Sequence, residues 1–343
     1  MNKPLIAITT ATSPEHLLPG HPESPQRFAH FDRLMVPPLG DHLQLLPAHE
    51  CSLDPVLRVH TADYLKTLES ICTSGGGFLD YGDTYATPAS YAAALTAAGS
   101  TLQLLDRVLG SDIHQGFALI RPPGHHATRN RAMGFCLLNN IAIAAKEAQA
   151  HSMERVLIID FDVHHGNGTQ EIFEQDPSVL YISTHQAGIY PGSGSWNDAG
   201  SGAGYGSTIN IPLPPYAGDE AFQQIFEQVI NPSADRFNPE LVLVSAGYDG
   251  HWKDPLANLG LTTVGYYDIA QRLLEIAHQH AQGRLLFVLE GGYDPTTLAG
   301  NVAATLAALA GLPSPEPEQP HPSVPAVDVS DLLHRLRRLH NLN

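Results

Sequence analysis

Residues 155–168 read RVLIIDFDVHHGNG, an apolar run that ends in acidic residues and histidines. Such a run is typical of a strand that is buried on both faces of a parallel sheet. If the extended conformation continues, alternate side chains share a face, so Asp160, Asp162 and His164 lie together. Two carboxylates and an imidazole at the end of a buried strand are costly unless they hold a cation. The stretch therefore predicts a metal site.

Apolar strands and helical patterns alternate along most of the chain. Strands are predicted over residues 5–9, 117–120, 155–160, 179–183, 208–211, 241–245 and 285–289, and helices over about 54–72, 88–109, 139–150, 168–175, 219–230, 264–281 and 296–310. This alternation indicates an α/β fold in which helices cover both faces of a parallel sheet. Ligands of such sheets bind beyond the carboxyl ends of the strands. We expect one domain over residues 1–312, followed over residues 313–343 by a proline-rich segment and a closing helix (328–342) that packs on the domain or trails it.

A second strand end completes a ligand set. Residues 241–249 read LVLVSAGYD, and Asp249 follows the apolar run. One imidazole and two carboxylates suit Zn²⁺, Fe²⁺ or Co²⁺ better than a thiolate-loving metal. Three protein ligands with an open position are typical of a catalytic zinc site. On its own, Asp249 would be interpreted as a helix or turn cap.

Two further strand ends carry groups that can move or donate protons. Residues 117–127 read FALIRPPGHHA, and the two prolines hold His125 and His126 in a rigid turn. Neutral histidines beside an activated water are natural proton-transfer groups near neutral pH. Residues 285–294 read LLFVLEGGYD, where two glycines let the backbone approach the site and present Tyr293 as a donor to an oxyanion.

Composition narrows the class of protein. The chain has 343 residues, of which 43% are hydrophobic, and a net charge of −17 that argues against nucleic-acid binding and is compatible with cationic substrates. The cysteines (51, 72 and 136) lack C-x-x-C spacing and predict neither a disulfide framework nor a thiolate zinc site. No apolar stretch approaches the ~20 residues of a membrane span. Because residues 5–11 are too short for a signal peptide, we expect a cytoplasmic protein.

Seven motifs, in order, resemble the histone deacetylase family. They read RPPGHHA (121–127), GFCLLNN (134–140), IDFDVHHGNGTQ (159–170), YPGSG (190–194), SAGYD (245–249), DPL (254–256) and LEGGY (289–293), and the match runs from about residue 14 to 310. Asn167 stands where class I members carry an aspartate, so the similarity is closest to the class II and bacterial deacetylase-like branch. The resemblance implies a single arginase–deacetylase domain around an eight-stranded, mainly parallel sheet flanked by helices.

The resemblance also implies two metal sites. A zinc ion, with iron as the alternative, would be held by Asp162, His164 and Asp249. A structural potassium ion would be held by Asp160, Ser183 and Thr184 together with the backbone of Asp162 and His164.

Catalytic and substrate-binding roles follow from the same motifs. The implied catalytic residues are His125 and His126 as a proton-transfer pair, Asp160 and Asn167 as their partners, and Tyr293 as the oxyanion donor. The implied substrate-binding residues form a narrow tunnel with its rim and mouth: Phe135, Tyr190, Leu256, Asp83, Gly134 and Gly291. The implied reaction is metal-dependent hydrolysis of the amide of acetyl-lysine, or of a similar acylated amine, to the free amine and acetate.

Three other interpretations stay open. Acetylpolyamine amidohydrolases share the fold and chemistry, although Leu256 at the gatekeeper position favours acyl-lysine. Arginase-like ureohydrolases need two manganese ions, whereas the ligand set here supplies one metal. A non-catalytic acyl-lysine binding module predicts a broken set of catalytic residues, and none is replaced. The physiological substrate, acyl length, oligomeric state and resident metal are not determined by the sequence.

Overall fold

One sheet of eight strands forms the centre of the computed structural model, which describes residues 5–80, 82–110, 113–317 and 326–342. In chain order the elements are β1 (Ile6–Ala11), β2 (Leu43–Leu46), α1 (Leu53–Leu57), α2 (Ala62–Thr73), β3 (Gly77–Phe78), β4 (Tyr85–Ala86), α3 (Ser90–Leu109), β5 (Gln115–Ile120), α4 (Asn140–Ala150), β6 (Val156–Asp160), α5 (Asn167–Phe173), β7 (Val179–Gln186), β8 (Thr208–Leu213), α6 (Asp219–Ile225), α7 (Asn231–Phe237), β9 (Leu241–Ala246), α8 (Thr263–His280), β10 (Leu285–Leu289), α9 (Pro295–Leu309) and α10 (Ser330–Leu339). The sheet order is β2-β1-β5-β10-β9-β6-β7-β8, and all its pairings are parallel. The predicted α/β fold is confirmed.

The central strands are apolar throughout because both of their faces are buried. Along β9, Leu241 and Leu243 pack into one hydrophobic cluster, whereas Val242 and Val244 pack into the other. Successive side chains of a strand point to opposite faces, so the two clusters lie on the two sides of the sheet. Helices α3 and α4 supply apolar residues to the first cluster, and α8 and α9 supply them to the second. This is why these strands show no polar–apolar alternation.

Several local features differ from the sequence-based expectation. The edge strand β2 was not predicted, because its four residues are too few to show a pattern and Leu45 is half exposed. The helix predicted over 54–72 is two helices, and the hydroxyl of Thr61 caps the second by accepting a hydrogen bond from the Tyr64 N–H. The helix predicted over 219–230 continues into α7 through a π-helical turn, Phe226–Ile230, just before Pro232, which has no N–H to donate.

The C-terminal helix packs on the rest of the chain. Helix α10 lies within the predicted range, and its Leu333 and Leu336 are buried in the cluster that α8 and α9 share. The boundary between residues 312 and 313 stays a prediction, and residues 318–325 and 343 of the second segment lie outside the described residues. Within the described ranges, no helix is both long enough and apolar enough to cross a membrane.

The four strands that carry the polar motifs are neighbours in the sheet. They occupy the contiguous central positions β5-β10-β9-β6, and in a parallel sheet all four end at the same edge. The register places Asp160 beside Ser245 and Leu289 beside Ala246, so the strands end at nearly the same level. Residues that are far apart in the sequence therefore meet at one point, at the edge where open α/β sheets bind ligands.

Candidate active site

The three predicted zinc ligands converge at this edge of the sheet. Asp162 and His164 follow β6, Asp249 follows β9, and their donor atoms all lie within 4.8 Å of one another. The Nδ1 atom of His164 is 3.2 Å from Asp162 Oδ1 and 3.2 Å from Asp249 Oδ2. Both carboxylates are buried. A cation among these atoms would offset the cost of burying two negative charges side by side.

These residues fit a metal ion on structural grounds. The Oδ2 atom of Asp249 is buried and accepts no hydrogen bond from any residue that the structure describes. A Cβ atom on Gly291 would lie 2.1 Å from Asp249 Oδ2, and one on Gly247 would lie 2.1 Å from Asp162 Oδ2, so only glycine lets the backbone come this close. One nitrogen and two carboxylate oxygens are donors that suit Zn²⁺ or Fe²⁺.

Two adjacent imidazoles, tilted by 45° to one another, lie next to the ligands, and each is held by a different partner. The rings of His125 and His126 are 4.0 Å apart, and His125 Nε2 is 3.8 Å from Asp162 Oδ1. The Nδ1 atom of His125 is 3.1 Å from Asp160 Oδ2, and that of His126 is 2.8 Å from Asn167 Oδ1. Because both oxygens are acceptors, Nδ1 carries the hydrogen in each ring. The Nε2 atom of a neutral His126 is therefore a hydrogen-bond acceptor.

The surroundings of the two histidines separate their pKa values. Burial disfavours a charged His125, but the carboxylates of Asp160 and Asp162 outweigh it and raise the pKa of His125 to about 10. Burial and the adjacent His125 lower the pKa of His126 well below its ordinary value. Neighbouring groups whose pKa values are pushed apart are suited to acting as an acid and a base.

Tyr293 is presented to the site by the glycine turn that follows β10. Arg27 Nε donates a hydrogen bond of 2.7 Å to the Gly292 carbonyl, and the Arg27 guanidinium lies 5.0 Å from the centre of the Tyr293 ring. The ring of Phe135 packs edge-on at 5.9 Å. Burial raises the pKa of Tyr293 well above its ordinary value. The phenol therefore keeps its proton and can donate it in a hydrogen bond.

One pocket contains all the predicted substrate-binding residues. Its lining residues are Asp83, Pro123, His125, His126, Gly134, Phe135, His164, Tyr190, Leu256, Gly291 and Tyr293. The rings of Tyr190 and His126 are 5.1 Å apart, and Tyr190 and Leu256 are each partly exposed to solvent. The structure thus brings together the residues of a polar floor and an aromatic wall, although their individual roles stay predictions.

The loop that carries Asp83 is organised by Asp80, which the sequence analysis did not single out. Asp80 Oδ1 accepts hydrogen bonds from the backbone N–H groups of Gly82, Asp83 and Thr84. Asp80 Oδ2 accepts one from the Thr84 hydroxyl, whose oxygen in turn accepts the N–H of Phe135. This connection ties the rim to the pocket wall. An aspartate two residues before a glycine is a turn signal that could have indicated it.

A second group of close donors is formed by His125, Cys136 and Glu290. Glu290 Oε2 accepts hydrogen bonds from the N–H groups of Gly124 and His125, and Oε1 accepts one from the Ser245 hydroxyl. Burial raises the pKa of the Cys136 thiol well above its ordinary value. These donors are already bonded or protonated, so the group supports the turn that carries the histidines and does not fit a second metal.

The predicted potassium-site residues Asp160, Ser183 and Thr184 lie on the neighbouring strands β6 and β7. Ser183 pairs with Asp160 in the register of β7 and β6, and the Thr184 hydroxyl donates to the Asp160 carbonyl over 3.4 Å. The Ser183 hydroxyl is 2.9 Å from His185 Nδ1. Potassium binding stays a prediction.

Comparison with known proteins identifies the family. The family model described as "Histone deacetylase domain" matches residues 21–309. "Histone deacetylase 14, chloroplastic" of Arabidopsis thaliana is 45% identical over 280 residues, which are 78% of this chain and 66% of that protein. The "Histone deacetylase-like amidohydrolase" of Pseudomonas aeruginosa is 39% identical over 298 residues, which are 86% of this chain and 78% of that protein.

The fold comparison agrees. The solved structure titled "Crystal Structure of HDA15 HD domain" superposes with a TM-score of 0.89 at 34% identity, covering 98% of this chain and 94% of that one. This chain spans slightly less than two thirds of the length of the Arabidopsis relative. The resemblance seen in the motifs is confirmed, and the chain belongs to the histone deacetylase family.

Proposed function

We propose that this chain is a zinc-dependent deacylase that hydrolyses the amide of acetyl-lysine, or of a similar acylated amine, to the free amine and acetate. The observation that carries the proposal is the convergence of Asp162, His164 and Asp249 beside a pocket that also holds two histidines and a tyrosine. Membership of the histone deacetylase family supports the reaction class. Iron is the alternative metal for the same ligands.

The metal would supply one part of the chemistry. Held by Asp162, His164 and Asp249, Zn²⁺ would polarise the substrate carbonyl and make water a stronger nucleophile. The remaining steps belong to side chains of this protein.

The two histidines move the protons. A water oxygen adds to the carbonyl carbon, and His126 accepts the water's proton at Nε2 while its Nδ1–H stays bonded to Asn167. A protonated histidine then gives a proton to the amine nitrogen as the C–N bond breaks. His125, whose Nδ1–H is held by Asp160, suits this second step because its surroundings favour the imidazolium.

Tyr293 stabilises the negative charge that develops on the carbonyl oxygen. Its phenol keeps its proton and faces the same pocket as His126 and His164. A donor that is already oriented towards the developing oxyanion lowers the barrier, because little reorganisation is needed during the reaction.

The pocket walls suit a linear acylated amine. Phe135 and Tyr190 offer aromatic surface to an apolar stem such as the methylene chain of lysine, and Leu256 borders the opening. Asp83 at the rim can accept hydrogen bonds from the substrate backbone. We also propose that Asp160, Ser183 and Thr184, with the neighbouring backbone, hold a structural potassium ion; the nearness of Asp160 and Thr184 supports this.

The function is tested by turnover of an acetyl-lysine peptide that carries a fluorogenic leaving group. Zinc-loaded protein is expected to release the free amine, and both a chelator and a hydroxamate are expected to abolish the activity. Readdition of zinc after chelation should restore it. N-acetylputrescine is assayed in parallel, and a faster turnover of that substrate would identify an acetylpolyamine amidohydrolase. If metal-loaded, folded protein cleaves neither substrate nor longer acyl-lysines, the proposal is wrong, and a binding module becomes the better interpretation.

A further inference from the structure

Asp254 makes two hydrogen bonds that join the pocket mouth to the catalytic tyrosine. It follows the predicted ligand Asp249 by five residues, and its side chain is only 6% exposed. Asp254 Oδ2 accepts a hydrogen bond of 2.7 Å from the backbone N–H of Tyr293, and Oδ1 accepts one of 3.0 Å from the N–H of Leu256. One carboxylate therefore spans the loops that follow β9 and β10.

Tyr293 depends on such contacts because its own turn is intrinsically loose. Two glycines precede it, and Gly292 has a φ of +117°, a conformation that side-chain-bearing residues rarely adopt. Within the part of the chain that the structure describes, the phenol makes no hydrogen bond that would orient it. The direction of the phenol is thus set by the backbone on either side and by ring packing.

Each of the other contacts of this turn holds a different atom. The N–H of Gly291 donates to Asp162 Oδ2 over 2.8 Å, and Arg27 binds the Gly292 carbonyl. The Tyr293 N–H is held by Asp254. Because the N–H lies on the residue that carries the phenol, losing this bond would allow the phenol to shift even if the other contacts persisted.

We propose that Asp254 is a positioning residue, which aims the Tyr293 phenol at the developing oxyanion and holds Leu256 at the mouth. The inference rests on the proposed function and adds a residue for which the sequence suggested no role. Asp254 does not line the pocket, so it acts through its two partners. Loss of the Tyr293 bond should lower kcat, whereas loss of the Leu256 bond should raise KM.

A double-mutant cycle with Tyr293→Phe separates positioning from general stability. Asp254→Ala is expected to lower kcat on the acetyl-lysine peptide by roughly 10- to 100-fold, the scale expected when a catalytic group is misplaced by about 1 Å. In the Tyr293→Phe background the same change should cost less than about 2-fold, because the hydroxyl that it misdirects is already absent. Equal losses in both backgrounds would overturn the proposal.

Asp219→Ala is the matched control. Asp219 also accepts hydrogen bonds from a backbone N–H and a hydroxyl, both of Thr262, but it is not part of the pocket lining. Its small effect on kcat should be the same in both backgrounds. If Asp254→Ala does not fold, Asp254→Asn, which is nearly the same size and keeps one acceptor oxygen, replaces it in the cycle.

Hydrogen exchange in metal-free protein tests the two bonds without any activity. In Asp254→Ala, the amides of Tyr293 and Leu256 should exchange faster, while the amide of Thr262 should not change. Unchanged exchange at Tyr293 would contradict the inference. If the wild-type protein hydrolyses no amide, the proposed function fails, yet the exchange result still shows whether Asp254 holds the turn.

Discussion

Glu23 and Asp249 are both carboxylates with no exposed surface, yet their surroundings differ in one respect. Glu23 receives a two-point hydrogen bond from Arg121, at 2.5 and 2.8 Å, and lies 3.3 Å from Arg27. Asp249 lies beside Asp162, and its Oδ2 atom accepts no hydrogen bond from the described residues, its nearest nitrogen being that of the predicted ligand His164 at 3.2 Å. Around Glu23 the chain itself supplies positive charge, from Arg121 and Arg27. Around Asp249 the chain leaves room for a bound cation.

The pKa values of the two carboxyl groups follow this difference. Burial opposes ionisation of Glu23, but His16, Arg121 and Arg27 together hold its pKa well below the ordinary value. Burial and the charge of Asp162 raise the pKa of Asp249. Equal burial therefore accompanies a lowered pKa in Glu23 and a raised pKa in Asp249. A buried acid indicates a ligand site only where the chain does not itself provide the counter-charge.

The two clusters are physically connected. Arg27 binds Glu23 on one side and the carbonyls of Glu290 and Gly292 on the other. The cluster around Glu23 therefore holds the turn that presents Tyr293 to the cluster around Asp249. Three substitutions and one change of pH test how far the two clusters differ.

Asp249→Ala should have the largest effect. Turnover of the acetyl-lysine peptide is expected to fall by more than about 10³-fold, beyond the roughly 10²–10³ expected from loss of one oxyanion donor. Zinc should raise the melting temperature of the wild type but hardly that of the variant, because binding to the folded state is lost. Metal content by mass spectrometry provides the check. A variant that still binds one zinc per chain tightly would remove Asp249 from the ligand set.

Glu23→Gln should mainly affect stability. It leaves Arg121 and Arg27 buried without a carboxylate, and breaking such a buried pair typically costs about 3–5 kcal/mol. Urea unfolding of metal-free protein measures the loss. Glu15→Gln, an exposed acid in the same segment, is the control and should change the free energy of unfolding by less than about 0.5 kcal/mol. Equal stability of the two variants would mean that Glu23 does not hold the cluster together.

Tyr293→Phe tests the point where the two clusters meet. Its kcat should fall by about 10²–10³, with metal content unchanged, because only the donor to the oxyanion is removed. Tyr216→Phe, at an exposed tyrosine outside the pocket, should keep the wild-type rate. Wild-type turnover in Tyr293→Phe would exclude Tyr293 from the mechanism.

The smallest effect concerns the pH dependence of stability. Because the pKa of folded Glu23 is depressed from its ordinary value of 4.5, the stabilisation that it provides is complete above that pH and is lost as the pH falls below it. The difference in unfolding free energy between wild type and Glu23→Gln should be constant between pH 6 and 5 and shrink by up to about 1.4 kcal/mol per pH unit below 4.5. A difference that stays constant down to pH 3 would mean that this pKa is not depressed.

Much of the site was predictable from local sequence. Every predicted pocket residue except Asp83 lies in a compact motif such as RPPGHHA, and all of them meet in one pocket. Two of the residues that sequence reasoning missed, Asp254 and Glu23, act through contacts with other segments, whereas Asp80 binds N–H groups of its own turn. Asp80 and Asp254 bind backbone N–H groups of the rim and the tyrosine turn, and Glu23 pairs with an arginine that follows β5. When the partner of a carboxylate is far away in the sequence, no local sequence pattern indicates the contact.

Local sequence patterns predict the α/β class, seven of the eight sheet strands and the set of polar strand ends, because apolar runs and turn residues are local properties of the chain. That β5, β10, β9 and β6 are neighbours becomes visible only in the folded chain. The fold also shows that Glu23 is neutralised by an arginine, whereas Asp249 faces another carboxylate. These features depend on the order in which strands pair and on which side chains then share a small volume, and neither is encoded in any single stretch of sequence.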